Sequence, residues 1–259
     1  MLYAAWYNIR MITPGKPYLS IILPAYNEAE RLPKTLLDID KKMSGKDYVY
    51  EILVVNDGSK DNTAEVVRKM AIAVKNLKLI DNIENKGKGG VVRQGMLAAQ
   101  GDIRLFMDSD NATTVDHFDQ MRPYFDQGYN VVICSRAMKE SVLDPAEPVV
   151  RQIPGKLGNL WIQVFVLWGL WDTQCGFKAF TAEATERVFS LSKLSGWSFD
   201  VEVLAIAKKI GYRIKEVPVH WVHDGNSKVK PSAYIQVLLD VVKIWWWFLI
   251  DSYQLKKGR

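Results

Sequence analysis

Two carboxylates stand close together after an apolar run in the first half of the chain. Asp108 and Asp110, separated by Ser109, directly follow Ile103–Met107, which is predicted to be a buried strand. If the chain turns there, both carboxylates face one ligand, and their hard oxygens suit Mg²⁺ or Mn²⁺ held together with substrate phosphates. A solvated turn rich in Asp and Asn would show the same residues, so this pattern alone is weak evidence for a metal site.

Two other segments could hold a nucleotide. Asp57 lies in Asn56–Ser59 (NDGS) at the end of the second predicted strand and could accept hydrogen bonds from a nucleoside, although a simple Asp-Gly turn looks the same. Residues 85–90 (NKGKGG) combine glycines and lysines at the start of a predicted helix, where backbone amides favour phosphate. The segment matches neither a P-loop nor a dinucleotide-binding fingerprint.

Basic side chains in the second half could also bind phosphate. Arginine matches phosphate oxygens bidentately and lysine acts as a point charge, although most such side chains are simply solvated. The candidates are Arg136, Arg151, Lys156, Lys178 and Lys228. His220 and His223 lie on one predicted strand, where their spacing turns them to opposite faces and argues against a shared metal. Motifs of the common hydrolases, zinc sites and redox sites are absent from the sequence.

The elements predicted around these residues give them a common location. Short apolar runs alternate with amphipathic runs, which predicts an α/β fold with a mostly parallel sheet. Ligands of such sheets bind beyond the carboxyl ends of the strands, here residues 24–28, 56–59, 82–90 and 108–113. The predicted strands are 18–24, 51–55, 77–80, 103–107 and 131–134, and the predicted helices are 34–43, 63–75, 91–100 and 115–126, with Asn62 and Glu65 as a capping pair for the second.

The second half predicts more helix than strand. The expected elements are a proline-containing loop at 144–154, a Trp-rich helix at 155–171, a turn and strand within 172–181, helices at 182–191 and 199–210, a strand at 213–221, a polar loop at 223–230 and a last helix from about 232 to 253. Because no linker is evident, residues 1–230 are predicted to form one domain, followed by an amphipathic extension at 231–259.

The composition is that of a globular, mildly basic chain. Its 259 residues are 48% hydrophobic, and 34 basic against 29 acidic residues give a net charge of +5. That charge falls short of the dense basic stripe of a nucleic-acid binder, so no nucleic acid is expected as a partner. Cys134 and Cys175 lack metal spacing and are expected to be reduced thiols in the cytoplasm. No signal peptide or membrane-spanning segment is evident, so neither is expected.

The nine tryptophans are unevenly placed, and six fall in two segments: Trp161, Trp168 and Trp171, then Trp245, Trp246 and Trp247. In both predicted helices the polar residues share one face, which suits a helix lying in a membrane interface. A core position or a dimer interface would need the same pattern. The polar residues are Lys156, Asn159 and Gln163 in one helix and Gln236, Asp240, Lys243 and Asp251 in the other. The basic tail at 256–259 (KKGR) would add attraction to an anionic leaflet.

Four segments in one order resemble family 2 glycosyltransferases, which have the GT-A nucleotide-sugar fold. They are 21–28 (IILPAYNE), 54–59 (VVNDGS), 85–89 (NKGKG) and 108–110 (DSD). Three later segments, 172–178 (DTQCGFK), 197–202 (WSFDVE) and 225–228 (GNSK), look like the polyprenyl-phosphate branch. The combination of 172–178 with 111–113 (NAT) looks most like dolichyl-phosphate β-glucosyltransferases, whereas the mannosyl members usually carry Gln where this chain has Ala112. The chain departs from the glucosyl members at Asn111, usually Gly, and the N-terminal anchor of the eukaryotic members is not expected in this chain.

The resemblance implies a role for each matching position. Residues implied in nucleotide-sugar binding are Pro24, Tyr26, Glu28, Asp57, Lys86, Asp108 and Lys228, the last on a loop that could close over the diphosphate. Residues implied in catalysis are Asp110, Arg136, Arg151, Lys178 and Asp200. Of these, Arg136, Arg151 and Lys178 would bind the acceptor phosphate. Asp108 and Asp110 would bind Mg²⁺ or Mn²⁺. Asp200 stands where other members place a base, and here it would serve as base, orient the acceptor or be structural.

The implied reaction is an inverting transfer of glucose from UDP-glucose to dolichyl phosphate at the cytoplasmic face of a membrane. The alternatives are mannose from GDP-mannose and another UDP-sugar such as N-acetylglucosamine. A sugar-phosphate nucleotidyltransferase is a different class, but it would need a glycine-rich loop after the first strand, where this chain has 24–27 (PAYN). A nucleotide-binding module without catalysis would leave Asp110, Arg136 and Lys178 unused. The sequence leaves open whether the chain forms a homo-oligomer.

Overall fold

The computed structural model describes residues 15–145, 149–222 and 231–255. Strands and helices alternate through the first half as the apolar pattern predicts. In chain order the elements are β1 (Leu19–Ala25), α1 (Leu32–Met43), β2 (Tyr50–Asp57), α2 (Thr63–Met70), β3 (Leu77–Asn82), α3 (Lys88–Ala98), β4 (Ile103–Met107), a 3₁₀ turn (Val115–His117), α4 (Phe118–Asp126), β5 (Val131–Ser135), β6 (Val142–Asp144), α5 (Val149–Phe165), β7 (Phe177–Thr181), α6 (Ala182–Leu191), α7 (Phe199–Ile210), β8 (Ile214–Pro218), β9 (His220–Val222) and α8 (Pro231–Leu249).

Seven strands form one sheet in the order β3-β2-β1-β4-β7-β5-β8. The β1–β2, β2–β3, β1–β4 and β5–β8 pairs are parallel, whereas β7 runs antiparallel to both β4 and β5. The short strands β6 and β9 form a separate parallel pair. The predicted fold class, a mostly parallel sheet flanked by helices, is confirmed, and the carboxyl ends of β1, β2 and β4 come together at one edge.

Two apolar layers cover the two faces of the sheet. One contains α1, α2 and α4, with Leu36 and Phe118 among its fully buried side chains. The other contains α3, α6 and α7 together with α5 and α8, and it buries Val92, Leu204 and Val241. The sheet is therefore enclosed on both faces, which explains why its central strands are mostly apolar and are buried along nearly their whole length, with no alternation of buried and exposed residues.

Several predicted boundaries are wrong. The predicted strand 213–221 is two strands, because the chain leaves the main sheet at Pro218 and β9 pairs with β6 instead. The Trp-rich helix begins at Val149 and ends at Phe165, and the chain then turns at Gly169, whose φ is +86°. Asn62 makes no side-chain capping bond to α2, and the Thr63 amide donates instead to Asp61 at 3.0 Å.

The helices α5 and α8 each turn one polar side chain toward the protein, whereas Gln236 and Lys243 of α8 are exposed. Gln163 and Asp240 are both buried, and Asp240 accepts a hydrogen bond from the Ser198 hydroxyl at 2.7 Å. Large apolar side chains face outward instead. We call the following residues the outer apolar surface: Leu157, Leu160, Val164, Trp168, Trp171, Tyr234, Ile235, Leu238, Leu239, Trp246, Leu249 and Ile250. Among the described residues, no helix has the length and apolar character needed to cross a membrane.

Candidate functional site

Asp57 ends β2 and organises the loop that leads into α3. Its carboxylate is buried, accepts the Lys86 amide at 2.6 Å and accepts the Asn85 side chain at 3.0 Å. Burial raises the pKa of Asp57, and the bonds from Lys86, Gly87 and Asn85 oppose that rise. Gly58 follows with a φ of +64°, and a Cβ there would lie 2.8 Å from the Glu84 carbonyl carbon. The turn therefore requires glycine, and Asp57 is held rigidly at the strand end.

Residues after β1 form the neighbouring wall. Glu28 is buried and forms a bidentate ion pair with Arg31, with Nε–Oε2 and Nη2–Oε1 distances of 2.8 and 2.7 Å. The Pro24 carbonyl accepts a hydrogen bond from the Ser109 hydroxyl, which ties this wall to the segment that carries Asp108 and Asp110. Tyr26, which lies between Pro24 and Glu28 in the chain, is exposed. Pro24, Glu28 and the DSD segment thus lie at one edge of the sheet.

Asp108 sits in a tight cradle. Its amide donates to the Gly176 carbonyl at 3.1 Å, and a Cβ at Gly176 would lie 1.9 Å from the Asp108 Oδ2 atom. On the other side, Lys88 Nζ lies 2.6 Å from Asp108 Oδ1. Burial alone would lower the pKa of Lys88, but the negative charges of Asp108, Asp200 and Asp110 outweigh it and raise that pKa. Lys88 is therefore a cation that pairs with Asp108 and is stabilised by the negative charges of two further carboxylates.

Asp110 is the second carboxylate of the DSD segment. Its Oδ1 atom accepts the Ala112 amide at 3.0 Å, and the Thr35 hydroxyl holds the preceding Ser109 carbonyl at 2.7 Å. Burial and the adjacent charge of Asp108 raise the pKa of Asp110. Two carboxylates that repel each other in a partly buried edge would be stabilised by a cation placed between them.

Arg136 and Asp172 form a second ion pair at the same edge. The Nε–Oδ2 and Nη2–Oδ1 distances are 2.7 and 3.0 Å, and the Arg136 amide also donates to Oδ2 at 2.9 Å. Burial opposes ionisation of Asp172, but the Arg136 charge and its hydrogen bonds hold the pKa of Asp172 below its usual range. The Trp221 ring lies beneath the guanidinium at 5.5 Å. Arg136 is thus fixed in orientation, with a third of its side chain exposed.

Lys178 and Asp200 form a third pair that is fully enclosed. Lys178 has no exposed surface, and its Nζ donates to Asp200 Oδ1 and to the Cys175 carbonyl, each at 2.5 Å. Burial raises the pKa of Asp200, although Lys178 and Lys88 oppose that rise. The predicted contact of Lys178 with an acceptor phosphate needs exposure that this arrangement does not give, so its charge acts from within the protein.

The glycines of 85–90 serve packing rather than an open phosphate cradle. The Gly89 and Gly90 amides both donate to the Ser195 carbonyl, at 2.8 and 3.3 Å. A Cβ at Gly87 would lie 2.5 Å from that carbonyl oxygen, and one at Gly89 would lie 2.6 Å from the Phe199 Cβ. The expectation that these helix-start amides bind phosphate is wrong for Gly89 and Gly90, because the loop before α7 occupies them. Lys86, the predicted donor contact, donates its Nζ to Asn82 at 2.7 Å.

The structure brings most of the predicted site residues to one edge of the sheet. Lys178 lies near the start of the antiparallel strand β7. The others end or follow strands there, or lie at the start of a helix that leaves it: Pro24, Tyr26, Glu28, Asp57, Lys86, Asp108, Asp110, Arg136 and Asp200. The Arg151 and Lys156 side chains, all of Lys228, and His223 lie outside the described residues. Their predicted roles stay predictions.

Sequence reasoning missed Lys88, Arg31 and Asp172 as ionic partners. Lys88 stands two residues after the predicted Lys86, and only the helix start at position 88 shows which of the two ammonium groups turns toward Asp108. Arg31 follows Glu28 by three residues, and an i, i+3 pairing at a helix start was a signal that could have found it.

Comparison with known proteins decides the family. Residues 20–189 match the family model described as Glycosyl transferase family 2. The chain belongs to this glycosyltransferase family. A dolichyl-phosphate beta-glucosyltransferase of Trichomonas vaginalis is 34% identical over 95% of this chain and 76% of its own length. A dolichyl-phosphate beta-glucosyltransferase of Dictyostelium discoideum is 36% identical over 92% of this chain and 77% of its own.

Solved structures support the fold. Mannosyl-3-phosphoglycerate synthase of Rubrobacter xylanophilus has a TM-score of 0.68 at 18% identity, covering 94% of this chain and 77% of its own. Glucosyl-3-phosphoglycerate synthase of Mycobacterium tuberculosis, solved with Mn²⁺, UDP and glucosyl-3-phosphoglycerate, has a TM-score of 0.65 at 18% identity, covering 89% and 80%. The predicted GT-A fold and the predicted glycosyltransferase class are confirmed, and the chain is a glycosyltransferase.

Proposed function

We propose that this glycosyltransferase moves glucose from UDP-glucose onto dolichyl phosphate with inversion at the anomeric carbon. The carrying observation is the similarity to dolichyl-phosphate beta-glucosyltransferases along nearly the whole chain. The charge arrangement supports it: the carboxylates of Asp108 and Asp110, after β4, suit a metal-bound diphosphate, and Arg136, after β5, suits a second phosphate. An enzyme that joins two anionic substrates needs carboxylates to hold a metal ion at one substrate and a basic side chain to bind the other.

The residues at the DSD segment fit a divalent ion. Asp108 and Asp110 supply hard oxygen ligands, and among the described residues no group of three or more His, Cys, Asp or Glu is placed to hold a metal by itself. A two-carboxylate site is the arrangement in which Mg²⁺ takes its other ligands from water and substrate phosphates. A bound Mg²⁺ or Mn²⁺ would neutralise negative charge on the leaving diphosphate.

The remaining chemistry falls to fixed side chains. A phosphate monoester has a second pKa near ~6, so the acceptor oxygen is already largely anionic at neutral pH and needs no general base. Arg136, oriented by Asp172, binds and aligns the acceptor phosphate. Asp200 is buried and bonded to Lys178, so its role is to hold that cation in place rather than to accept a proton. Asp57, Glu28 and Tyr26 hold the nucleoside, and Arg151 and Lys228 add charge to the two phosphates.

We propose further that the enzyme rests on the cytoplasmic face of a membrane through its outer apolar surface. Trp168, Ile235 and Leu239 are each more than half exposed to solvent, which costs free energy in water and is relieved at a lipid interface. Dolichyl phosphate presents its phosphate at that interface. We propose the 231–259 segment as the membrane-associating extension of the domain at 1–230.

The proposal is tested by the product formed from each donor. Full-length enzyme in detergent, supplied with Mg²⁺ and dolichyl phosphate, is expected to form a glucolipid from UDP-glucose and little product from GDP-mannose or UDP-N-acetylglucosamine. Asp110→Ala is expected to lower this transfer at least about a hundredfold while the thermal unfolding midpoint stays near that of the wild type. Preferred use of GDP-mannose, or near-normal turnover by Asp110→Ala, would overturn the sugar or the metal assignment respectively.

A further inference from the structure

The loop between α6 and α7, residues 192–198, is held at both of its ends; we call it the tryptophan loop because it carries Trp197. Near its start, the Lys193 and Leu194 amides donate to the buried Glu202 carboxylate at 2.9 and 2.8 Å. At its end, the Ser198 hydroxyl donates to the buried Asp240 carboxylate of α8 at 2.7 Å. Both anchors are buried charged groups, so the loop has little freedom to move.

The middle of the tryptophan loop lies on the start of α3. Its Ser195 carbonyl accepts both the Gly89 and Gly90 amides, and the glycines at this contact leave no room for a Cβ. The contact places the loop directly beside Lys88, the first residue of α3. The position of Trp197 is therefore set by three separate attachments rather than by the packing of its own ring.

Trp197 faces the charged edge of the sheet. The Lys88 Nζ atom lies 5.2 Å from the centroid of its ring and 2.6 Å from Asp108 Oδ1. The indole, 40% exposed, therefore flanks the carboxylates proposed to hold the diphosphate. Lys88 has three N–H donors and directs one to Asp108, so its ammonium can donate to a further acceptor beside the ring.

We propose that Trp197 and Lys88 form the subsite for the sugar that is transferred. The pyranose packs a face of C–H groups on the indole, and Lys88 donates to a sugar hydroxyl next to Asp108. In UDP-glucose the diphosphate is axial on one face of the ring, and the opposite face presents only C–H groups because the ring hydroxyls are equatorial. The axial O4 of galactose interrupts that opposite face, so glucose suits this subsite better. This inference rests on the proposed function for the identity of the sugar, but not for the location of the subsite.

The variant Trp197→Ala distinguishes binding of the sugar from binding of the nucleotide. In full-length enzyme with Mn²⁺, calorimetry is expected to show unchanged affinity for UDP and about tenfold weaker affinity for UDP-glucose, and the KM for UDP-glucose is expected to rise by the same factor. The preference for UDP-glucose over UDP-galactose should fall, and Trp197→Phe should retain most of it. Equal weakening of UDP and UDP-glucose, or a higher KM for dolichyl phosphate alone, would overturn the subsite.

The binding measurement does not need turnover, which keeps the two proposals distinguishable. If the wild type binds UDP-glucose more tightly than UDP and Trp197→Ala removes the difference, the subsite stands even if glucose is not transferred to dolichyl phosphate. If the wild type transfers glucose but the two affinities respond equally to Trp197→Ala, the proposed function stands and the subsite is wrong.

Lys88 is tested with one variant that removes its charge and one that keeps it. Lys88→Met is expected to weaken UDP-glucose binding at least about tenfold, and Lys88→Arg is expected to recover part of it. Lys69→Met is the control, because Lys69 is an exposed lysine paired with Glu65 on α2. Unaltered UDP-glucose binding by Lys88→Met, with an unfolding midpoint near that of the wild type, would remove Lys88 from the subsite; a lower midpoint in Lys88→Met but not in Lys88→Arg would assign it a structural role instead.

Discussion

The charged edge of the sheet and the outer apolar surface break the usual rule of burial in opposite directions. At the edge, Lys178, Asp200 and Asp172 are buried charges. On α5 and α8 the polar Gln163 and Asp240 are buried, while tryptophan and leucine side chains face outward. Soluble proteins usually enclose apolar side chains and expose charged ones. The edge therefore departs from this rule through its buried charges, and the surface departs from it through its exposed apolar side chains.

The two regions also differ in whether contacts within the protein stabilise their buried charges or their exposed apolar side chains. The buried charges are paired within the protein at 2.5–2.7 Å, as in Lys178–Asp200 and Arg136–Asp172, so the edge is ordered before any substrate binds. The outer apolar surface has no such internal compensation, because its side chains end in solvent. Breaking one of these buried pairs should therefore damage the fold, whereas disturbing the surface should damage only an association.

The largest effect on stability is expected from Lys178→Met, which leaves Asp200 as a buried charge without its partner. Loss of one member of a buried pair costs about 3–5 kcal/mol in the free energy of unfolding. Lys178 has no exposed surface and Asp200 very little, so water cannot replace the missing ammonium. Urea denaturation at neutral pH measures the loss.

Two further variants isolate the pairing. Lys178→Met combined with Asp200→Leu should recover much of the lost stability, because the double variant leaves no unpaired charge. Lys69→Met breaks an exposed ion pair and should cost at most about 1 kcal/mol. If Lys178→Met costs no more than Lys69→Met, the edge is not the pre-ordered electrostatic site described above.

An intermediate effect is expected on the outer apolar surface. Trp246→Ser with Leu249→Ser removes two outward-facing apolar side chains of α8, each about half exposed. Co-sedimentation with vesicles of phosphatidylcholine and phosphatidylserine should fall at least about tenfold, because each side chain contributes roughly 1.5–3 kcal/mol when fully transferred from water. The free energy of unfolding in solution should stay within about 0.5 kcal/mol of the wild type.

The inward face of the same helix provides the matched comparison. Val241 is fully buried against the second apolar layer, so Val241→Ala should lower the free energy of unfolding by roughly 1–3 kcal/mol and leave vesicle binding by the folded protein unchanged. If the Trp246 and Leu249 double variant binds vesicles as well as the wild type does, the outer apolar surface is not the membrane contact. Analytical sedimentation would then test whether this surface is a dimer interface.

The sequence predicts the location of the site better than its internal contacts. Apolar runs identify the five strands from β1 to β5, and the rule that ligands bind at their carboxyl ends correctly selects the segments around Asp57 and Asp108. Local spacing could not show that Lys88 rather than Lys86 pairs with Asp108, because that depends on where α3 begins. The partner of the Gly89 amide is more than a hundred residues away in the chain, and no pattern within residues 85–90 encodes it.

The helical faces show the same limit. The spacing of Gln163 and Asp240 correctly indicates that α5 and α8 are amphipathic, but periodicity does not say which face turns toward the protein. The hydroxyl of Ser198 donates to Asp240 across 42 residues, and this contact satisfies the buried Asp240 carboxylate. Tertiary hydrogen bonds, rather than the hydrophobic pattern alone, decide which side of the helix is exposed.

The smallest effect is expected where the two regions meet. The Tyr253 hydroxyl, just beyond α8, donates to Glu202 at 2.8 Å, and Glu202 in turn holds the Lys193 and Leu194 amides. Tyr253→Phe removes one of these bonds but leaves both amides to satisfy the carboxylate, so the free energy of unfolding should fall by only about 1 kcal/mol.

Hydrogen exchange distinguishes a local role for Tyr253 from a general one. Because its hydroxyl bonds the same carboxylate, Tyr253→Phe should speed exchange of the Lys193 and Leu194 amides more than that of amides in β1. Tyr234→Phe is the matched control, since that tyrosine lies exposed on the outer apolar surface. A uniform change at all amides would show that Tyr253 stabilises the fold as a whole. It would contradict a specific role for the Tyr253 hydroxyl in holding the Lys193 and Leu194 segment.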